Sequence, residues 1–326
     1  MIKVSILVPV YGVEQVIANC AETLFAQTYD ELEYIFVDDC TPDHSIEVLQ
    51  QVLQKYPERQ RQVKILHHEK NRGVGAARLN ALLAATGDFI MHVDSDDWLP
   101  TDAVERLVNK QQLTDADIVD GGYMEKYADG TERKVTPWHG SKESYLKLLL
   151  AQNTLSHQLW ARLIRRSLHM DYHILTMEGV NQADDYSVVP RLIWFARRSW
   201  IDEVVSYYRI EQMGMFKEGI TPRHVNSLLK ANQTIADFIV NHDNDKHYAW
   251  ATKVGLLKIY VQAFRAGISV NQLCERLPAY SNSGLLSFAR LLLRIPFGDR
   301  LVRYLYLLLK GIIREKIYHS KQKEQE

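Results

Sequence analysis

The sequence predicts an α/β fold: a mainly parallel, twisted sheet flanked by helices and followed by a C-terminal helical region. Three observations predict it. Strand and helix patterns alternate over the first hundred residues, the order that builds a parallel sheet with helices on its faces. The first strand, Val4–Val10, is one continuous apolar run, as expected of a strand buried on both faces. From about His224 the pattern is almost wholly helical.

The elements follow in order. Val16–Gln27 has helical spacing, with Ile17, Cys20, Ala21 and Leu24 on one face. Glu33–Val37 is a short strand that runs into Asp38-Asp39, and Ser45–Lys55 is helical. Val63–His67 is a third strand, Gly75–Ala85 an Ala/Leu-rich helix, and Asp88–Val93 a fourth strand that ends in Asp94-Ser95-Asp96-Asp97. Asp102–Lys110 reads as a helix and Asp117–Tyr127 as a strand before a turn at Asp129-Gly130. Ser141–Ala151, Leu159–Leu168 and Asp184–Arg197 read as helices, the last bent by Pro190. His224–Asn241, Lys246–Ala266, Ser269–Leu277 and Ser287–Lys316 complete the helical part, Pro296 and Gly298 breaking the final stretch in two. A length of 326 residues suits one large domain or two of moderate size; the change to helix gives two, expected at 1–215 and 216–326.

Composition excludes several classes. The chain is 46% hydrophobic and 24% charged, which is neither disordered nor low-complexity. A net charge of −1 supplies no whole-chain attraction for nucleic acid. Cys20, Cys40 and Cys274 are scattered and form no C-x-x-C pair, so a reducing cytoplasm is expected rather than a disulfide framework or a zinc knuckle. The N-terminus reads as a strand rather than a signal peptide. No apolar stretch reaches the ~18 residues of a membrane-spanning helix.

In open parallel sheets, ligands bind beyond the carboxyl ends of the strands, and two strands here end in acids. Asp94, Asp96 and Asp97 at one sheet edge repel one another unless a cation or a basic partner offsets them. A hard divalent ion takes one or two carboxylates plus substrate phosphates. The competing reading is a helix N-cap at Asp97. Asp38-Asp39, with Thr41, Pro42 and Asp43, can accept hydrogen bonds from a base or ribose, or simply form a solvated turn. Gly73 and Gly75 permit close backbone approach, and Arg72 and Arg78 can pair with phosphate or orient a carboxylate. Asp184-Asp185 at a helix start suits either the helix dipole or a general base.

Taken in order, Val8-Pro9-Val10-Tyr11 with Glu14, Asp38-Asp39 with Asp43, Asn71–Asn80, Asp94–Asp97 and Asp184-Asp185 resemble the motifs of the family 2 glycosyltransferases with a GT-A fold. The resemblance covers about residues 3–210. It implies a GT-A-type sheet and inverting transfer of a sugar from a nucleotide diphosphate donor, most simply a UDP-sugar, with Mn²⁺ or Mg²⁺ as cofactor. It implies that Pro9, Tyr11, Glu14, Asp38, Asp39, Arg72, Arg78, Asp94 and Ser95 contact the nucleotide-sugar. By the same resemblance Asp94 and Asp96 bind the metal, and Asp185, with Asp184 beside it, is the catalytic base. The chain departs from the family pattern at Gly12, at Cys40-Thr41-Pro42, at Leu79 between Arg78 and Asn80, and at Ala183-Asp184 in place of Gly-Glu. Two enzyme alternatives lack their signatures. A sugar-1-phosphate nucleotidyltransferase would carry a Gly-rich loop where Tyr11-Gly12-Val13-Glu14 stands. A dinucleotide site would need glycine where Arg78 stands. An inactive sugar-nucleotide-binding scaffold would have no need of Asp94, Asp96 and Asp185.

Residues 285–323 hold nine basic against two acidic residues, a local charge of +7, between apolar runs and tyrosines. Such a helix can lie on an anionic membrane surface, which would suit a glycan or lipid-linked acceptor in surface-polysaccharide assembly and a peripheral place on the inner face of the cell membrane. The alternative is packing on the catalytic domain or in a homodimer.

Overall fold

The computed structural model describes residues 1–152, 157–210 and 221–323. The chain divides into two compact units. The first comprises Met1–Pro137, Gln158–Asn181 and Phe195–Lys217; the second comprises Trp138–His157, Gln182–Trp194 and Glu218–Glu326. The expected boundary at 215/216 lies outside the described residues, and the units interleave, two segments from the middle of the chain belonging with the later helices.

The first unit is built on eight strands: β1 (Val4–Val10), β2 (Leu32–Asp38), β3 (Val63–His67), β4 (Phe89–His92), β5 (Ile118–Tyr127), β6 (Glu132–Val135), β7 (Arg162–Arg165) and β8 (Arg198–Ile210). Its helices are α1 (Ile17–Phe25), α2 (Ser45–Leu53), α3 (Val74–Ala84) and α4 (Ala103–Thr114). The strand order is β3-β2-β1-β4-β7-β5-β6, with β8 also pairing β5. Pairs among β1 to β4 and the β5–β8 pair are parallel, whereas β7 runs antiparallel to β4 and β5. This is the mainly parallel, helix-flanked sheet expected from the sequence.

Why Val4–Val10 is apolar without a break is visible in its two cores. Side chains alternate across a strand. Ile6, Val8, Tyr34, Phe36, Phe89 and Met91 face one core, which Leu24 and Phe25 of α1, Leu49 of α2 and Leu107 of α4 complete. Leu7, Ile35, Val37 and Ile90 face the other, against Ala77, Ala81 and Leu82 of α3. Pro9 has no N–H to donate, but β4 pairs β1 only over Val4–Leu7, so the ring sits where that ladder has ended.

One polar group staples the opposite end of the sheet. The Glu33 carboxylate is buried and accepts from Ser5 Oγ at 2.5 Å, Thr86 N at 2.5 Å, Thr86 Oγ1 at 2.8 Å, Gly87 N at 3.0 Å and Lys3 Nζ at 3.2 Å. Burial alone would raise its pKa, but the hydrogen bonds from Ser5 and Thr86 override it and hold it at about 2. The carboxyl is depressed below its unfolded value near 4.5, so its contribution is fully present above that pH and is lost as pH falls towards 2. Glu33→Gln is expected to lower stability by about 1–3 kcal/mol at pH 7. Urea unfolding of the two proteins should converge as the pH drops below 4.5; an unchanged gap at pH 3 would contradict the assignment.

Two sequence expectations require correction. Leu159–Leu168 is not one helix: its centre is β7, with Ile164 paired to Ile90 and Ile118, and only its last three residues are helical, in Arg166–Asp171. A short apolar run is ambiguous by periodicity, and the strand is chosen because the sheet offers partners on both sides. Second, residues 198–210 form a strand, β8, which with β6 is not assigned from the sequence.

The second unit contains α5 (Lys142–Leu150), α7 (Asp184–Phe195, its last residue belonging to the first unit), α8 (Pro222–His242), α9 (Ala249–Arg265), α10 (Val270–Arg276), α11 (Gly284–Leu292) and α12 (Gly298–Lys323); α6 (Arg166–Asp171) belongs to the first. Ser141, Thr221, Ser269 and Ser283 cap α5, α8, α10 and α11 through their hydroxyls. Leu229, Ile235, Leu257, Tyr260 and Val302 are fully or almost fully buried at its centre. Gly255 lets α9 run against the carbonyl oxygen of Leu150. No helix among the described residues is long and apolar enough to cross a membrane.

Candidate functional site

The carboxyl ends of β1, β2 and β4 bring three loops of the first unit together. The loop after β1 is clamped to the loop after β2. Gly12, at φ +68, donates to Thr41 Oγ1 at 2.8 Å, Val13 N to Ser45 Oγ at 3.0 Å and Glu14 N to Asp43 Oδ2 at 3.0 Å. In return the Glu14 carboxylate accepts the N–H of His44 at 3.2 Å, at the start of α2. Glu14 and Asp43 therefore build the loop. Asp43 lies near pKa 2, its slight burial outweighed by hydrogen bonds from Ser45 and Thr41. Tyr11 is 50% exposed at the tip, beside a half-buried Pro9.

Asp38 and Asp39 have different surroundings. Asp38 accepts from Thr41 N at 2.8 Å and meets His67 Nδ1 at 2.9 Å, while staying at the surface. Asp39 is buried. Its two oxygens accept Arg72 N at 2.8 Å and Gly73 N at 2.7 Å, and His68 Nδ1 lies 2.7 Å away. The parallel register that sets Asp38 opposite His67 brings both histidines to the acidic turn. Asp39 anchors the turn into α3.

The Gly73-x-Gly75 pair serves packing within the chain. A Cβ on Gly73 would overlap the Asn181 side chain, and one on Gly75 would fall on the Met177 carbonyl and lie 2.6 Å from that of Val180. Thr176 Oγ1 also donates to Gly75 O at 2.9 Å. Gly75→Ala, which in a free helix interior would gain about 1 kcal/mol, is expected here to destabilise by about 1–3 kcal/mol. A rise in melting temperature would refute the close approach.

Arg72 pairs with Glu178 at 2.8 Å on the surface, whereas Arg78 is buried and donates to Asp94 Oδ1 at 2.5 Å. Arg78 thus orients the first acid of the turn after β4. Ser95 is buried, Asp94 partly exposed and Asp96 exposed. Asp97 is 1% exposed and accepts the N–H of Arg209 at 3.1 Å. Burial first, then the charges of Asp94 and Asp96, push its carboxyl up to about 9. The N-cap reading of Asp97 is corrected: α4 starts only at Ala103, and the Asp97 side chain binds β8 instead. Trp98 bonds Tyr207 through both backbone groups, at 2.8 and 3.3 Å, and stacks on its ring at 5.6 Å, with the Arg209 guanidinium over the indole at 5.3 Å. The β8 pairing makes Arg209 and Tyr207 neighbours of the acidic turn.

The other acidic station lies in the second unit. Asp184 is buried and Asp185 half-buried at the start of α7, just after Ala183 in the left-handed region at φ +61. Ser187 ties this turn down, its N–H bonding Ala183 O at 3.0 Å and its hydroxyl Asp184 O at 2.6 Å.

Among the described residues no group of three or more His, Cys, Asp or Glu is placed to hold a metal alone. The acids at Asp94–Asp97 nevertheless fit a hard cation that takes its remaining ligands from a diphosphate: Asp94 is partly exposed and Asp96 exposed, on one turn.

Comparison with known proteins gives a consistent picture. The family model described as glycosyl transferase family 2 matches residues 5–172. EpsH of Bacillus subtilis (strain 168) is 29% identical over 253 residues, 72% of this chain and 71% of EpsH. Solved structures share the fold, among them the following two. S. aureus TarS 1–349 in complex with UDP-GlcNAc has a TM-score of 0.71 at 19% identity, covering 96% of this chain and 92% of that one. The mannosyltransferase PcManGT from Pyrobaculum calidifontis, in complex with GDP-Man and Mn²⁺, has a TM-score of 0.54 at 17% identity, covering 95% and 86%.

Proposed function

The chain belongs to glycosyl transferase family 2, and from that premise we propose an inverting, metal-dependent transfer of a sugar from a nucleotide diphosphate donor, a UDP-sugar, to a hydroxyl of a glycan or lipid-linked acceptor in surface-polysaccharide synthesis. The observation that carries this reading is the acidic turn at the end of β4, where Arg78 holds Asp94 and leaves Asp96 exposed. TarS with UDP-GlcNAc and PcManGT with Mn²⁺ support the donor class and the metal.

In this reading Tyr11 and Asp38 meet the base and ribose, Tyr11 offering an exposed ring and Asp38 an acceptor near the surface. Pro9 shapes that loop, Glu14 and Asp39 fix the loops behind it, and Ser95 lies beneath the sugar. Asp94 and Asp96 would hold Mn²⁺ or Mg²⁺, which supplies charge stabilisation to the departing diphosphate. Asp185 takes the proton of the acceptor hydroxyl as its oxygen bonds to the anomeric carbon. The carbon–oxygen bond to the diphosphate breaks on the opposite face, its electron pair leaving with the nucleoside diphosphate. Asp184, buried beside Asp185, fixes the turn. The enzyme would act peripherally at the cytoplasmic face of the membrane.

The test is release of nucleoside diphosphate from a panel of nucleotide-sugars, with and without Mn²⁺, and the anomeric configuration of the product. Metal-dependent release with inversion is expected. Donor binding without release, or retention of configuration, would overturn the proposal.

A further inference from the structure

Helix α12 has two apolar faces, and only one is covered. Val302, Tyr306, Ile313 and Ile317 are buried within the second unit. A separate stripe, Leu301, Tyr304, Leu308 and Ile312, recurs at three- and four-residue spacing and is 47%, 69%, 50% and 39% exposed. At the corner with α11 it is continued by Leu291 and Phe297, 62% and 69% exposed. Exposed basic side chains accompany the stripe: Arg294, Arg300, Arg303, Arg314 and Lys316. Of the two acids in residues 285–323, Asp299 is neutralised by Arg265 at 2.7 Å. Contiguous exposed apolar surface of this kind marks an interaction site.

The charge decides the partner. A two-fold contact between copies would set the same +7 segment against itself, and like charges repel. An anionic bilayer supplies both halves of the match: acyl chains for the stripe and negative headgroups for the arginines. Tyr304 and Tyr318 are exposed aromatics of the type enriched at membrane interfaces. We infer that the α11–α12 face docks on an anionic phospholipid bilayer, with α12 lying in the headgroup plane and not crossing it. The inference rests on the peripheral location in the proposed function and names the surface that provides it; its readout is binding, so its failure is distinguishable from failure of the transfer reaction.

The full chain is sedimented with vesicles of phosphatidylglycerol and phosphatidylcholine and with vesicles of phosphatidylcholine alone. Binding at least tenfold stronger to the anionic vesicles is expected, weakening as salt is raised. Arg294→Gln with Arg300→Gln and Arg303→Gln should weaken it about a hundredfold, and Leu301→Asp with Leu308→Asp should abolish it. Circular dichroism and melting temperature should stay unchanged, because these side chains are exposed. Absence of binding, equal binding to both vesicles, or wild-type binding by either variant overturns the inference. So does a dimer in solution that the two leucine substitutions dissociate while vesicle binding persists.

Discussion

Asp96→Ala is expected to lower metal-dependent release of nucleoside diphosphate by about 10²–10³-fold without changing the melting temperature. The side chain is exposed on a turn, and substitutions at such sites usually move stability by less than about 0.5 kcal/mol. Combining it with Asp94→Ala should remove the Mn²⁺ response entirely. That double variant also strips a charged partner from the buried Arg78, so some loss of stability is expected with it. The single variant separates the two effects. The measurement is donor turnover against Mn²⁺ concentration, after chelator treatment, for wild type and variants. Equal turnover in all three would eliminate the metal hypothesis and leave the acidic turn as a structural feature.

A comparably large effect is expected at the second station. Asp185→Asn keeps the shape of the side chain and removes the base, so kcat should fall by about 10²–10⁴-fold while donor affinity stays near wild type. Calorimetric titration with the donor, beside steady-state rates, makes that distinction. Asp184→Asn should act differently. The Asp184 side chain is buried, so its replacement should lower thermal stability with a smaller change in rate. The reverse pattern, with the large kinetic effect at Asp184, would shift the base by one residue.

The candidate acids were legible because sequence order and strand ends are local information. Asp38-Asp39 and Asp94–Asp97 stand just beyond runs whose apolar continuity marks buried parallel strands, and a parallel sheet gathers such ends at one edge. What each acid does there was not legible. Asp38 and Asp39 are chemically identical neighbours, yet one stays near solvent and the other is consumed by two backbone N–H groups of the next loop. Asp97 read as a helix cap, and the reason it is not lies in β8, more than a hundred residues away in sequence. Gly73 and Gly75 suggested close approach without saying by what. It is the chain's own 176–181 segment.

The sequence by itself determined the α/β alternation, the places of β1 to β4 along the chain, the helical C-terminal region and the break near Pro296. These are properties of hydrophobic period and of glycine and proline stereochemistry, which act over a few residues. Only the tertiary structure decided that residues 162–165 are a strand, that β8 covers the acidic turn, that Asp39 and Asp97 are buried, and which stripe of α12 is left uncovered. The physical reason is common to all four. Strand choice, burial and the field on a carboxylate depend on partners far away in the chain, and a short apolar run or a lone aspartate looks the same locally whichever partner it finds.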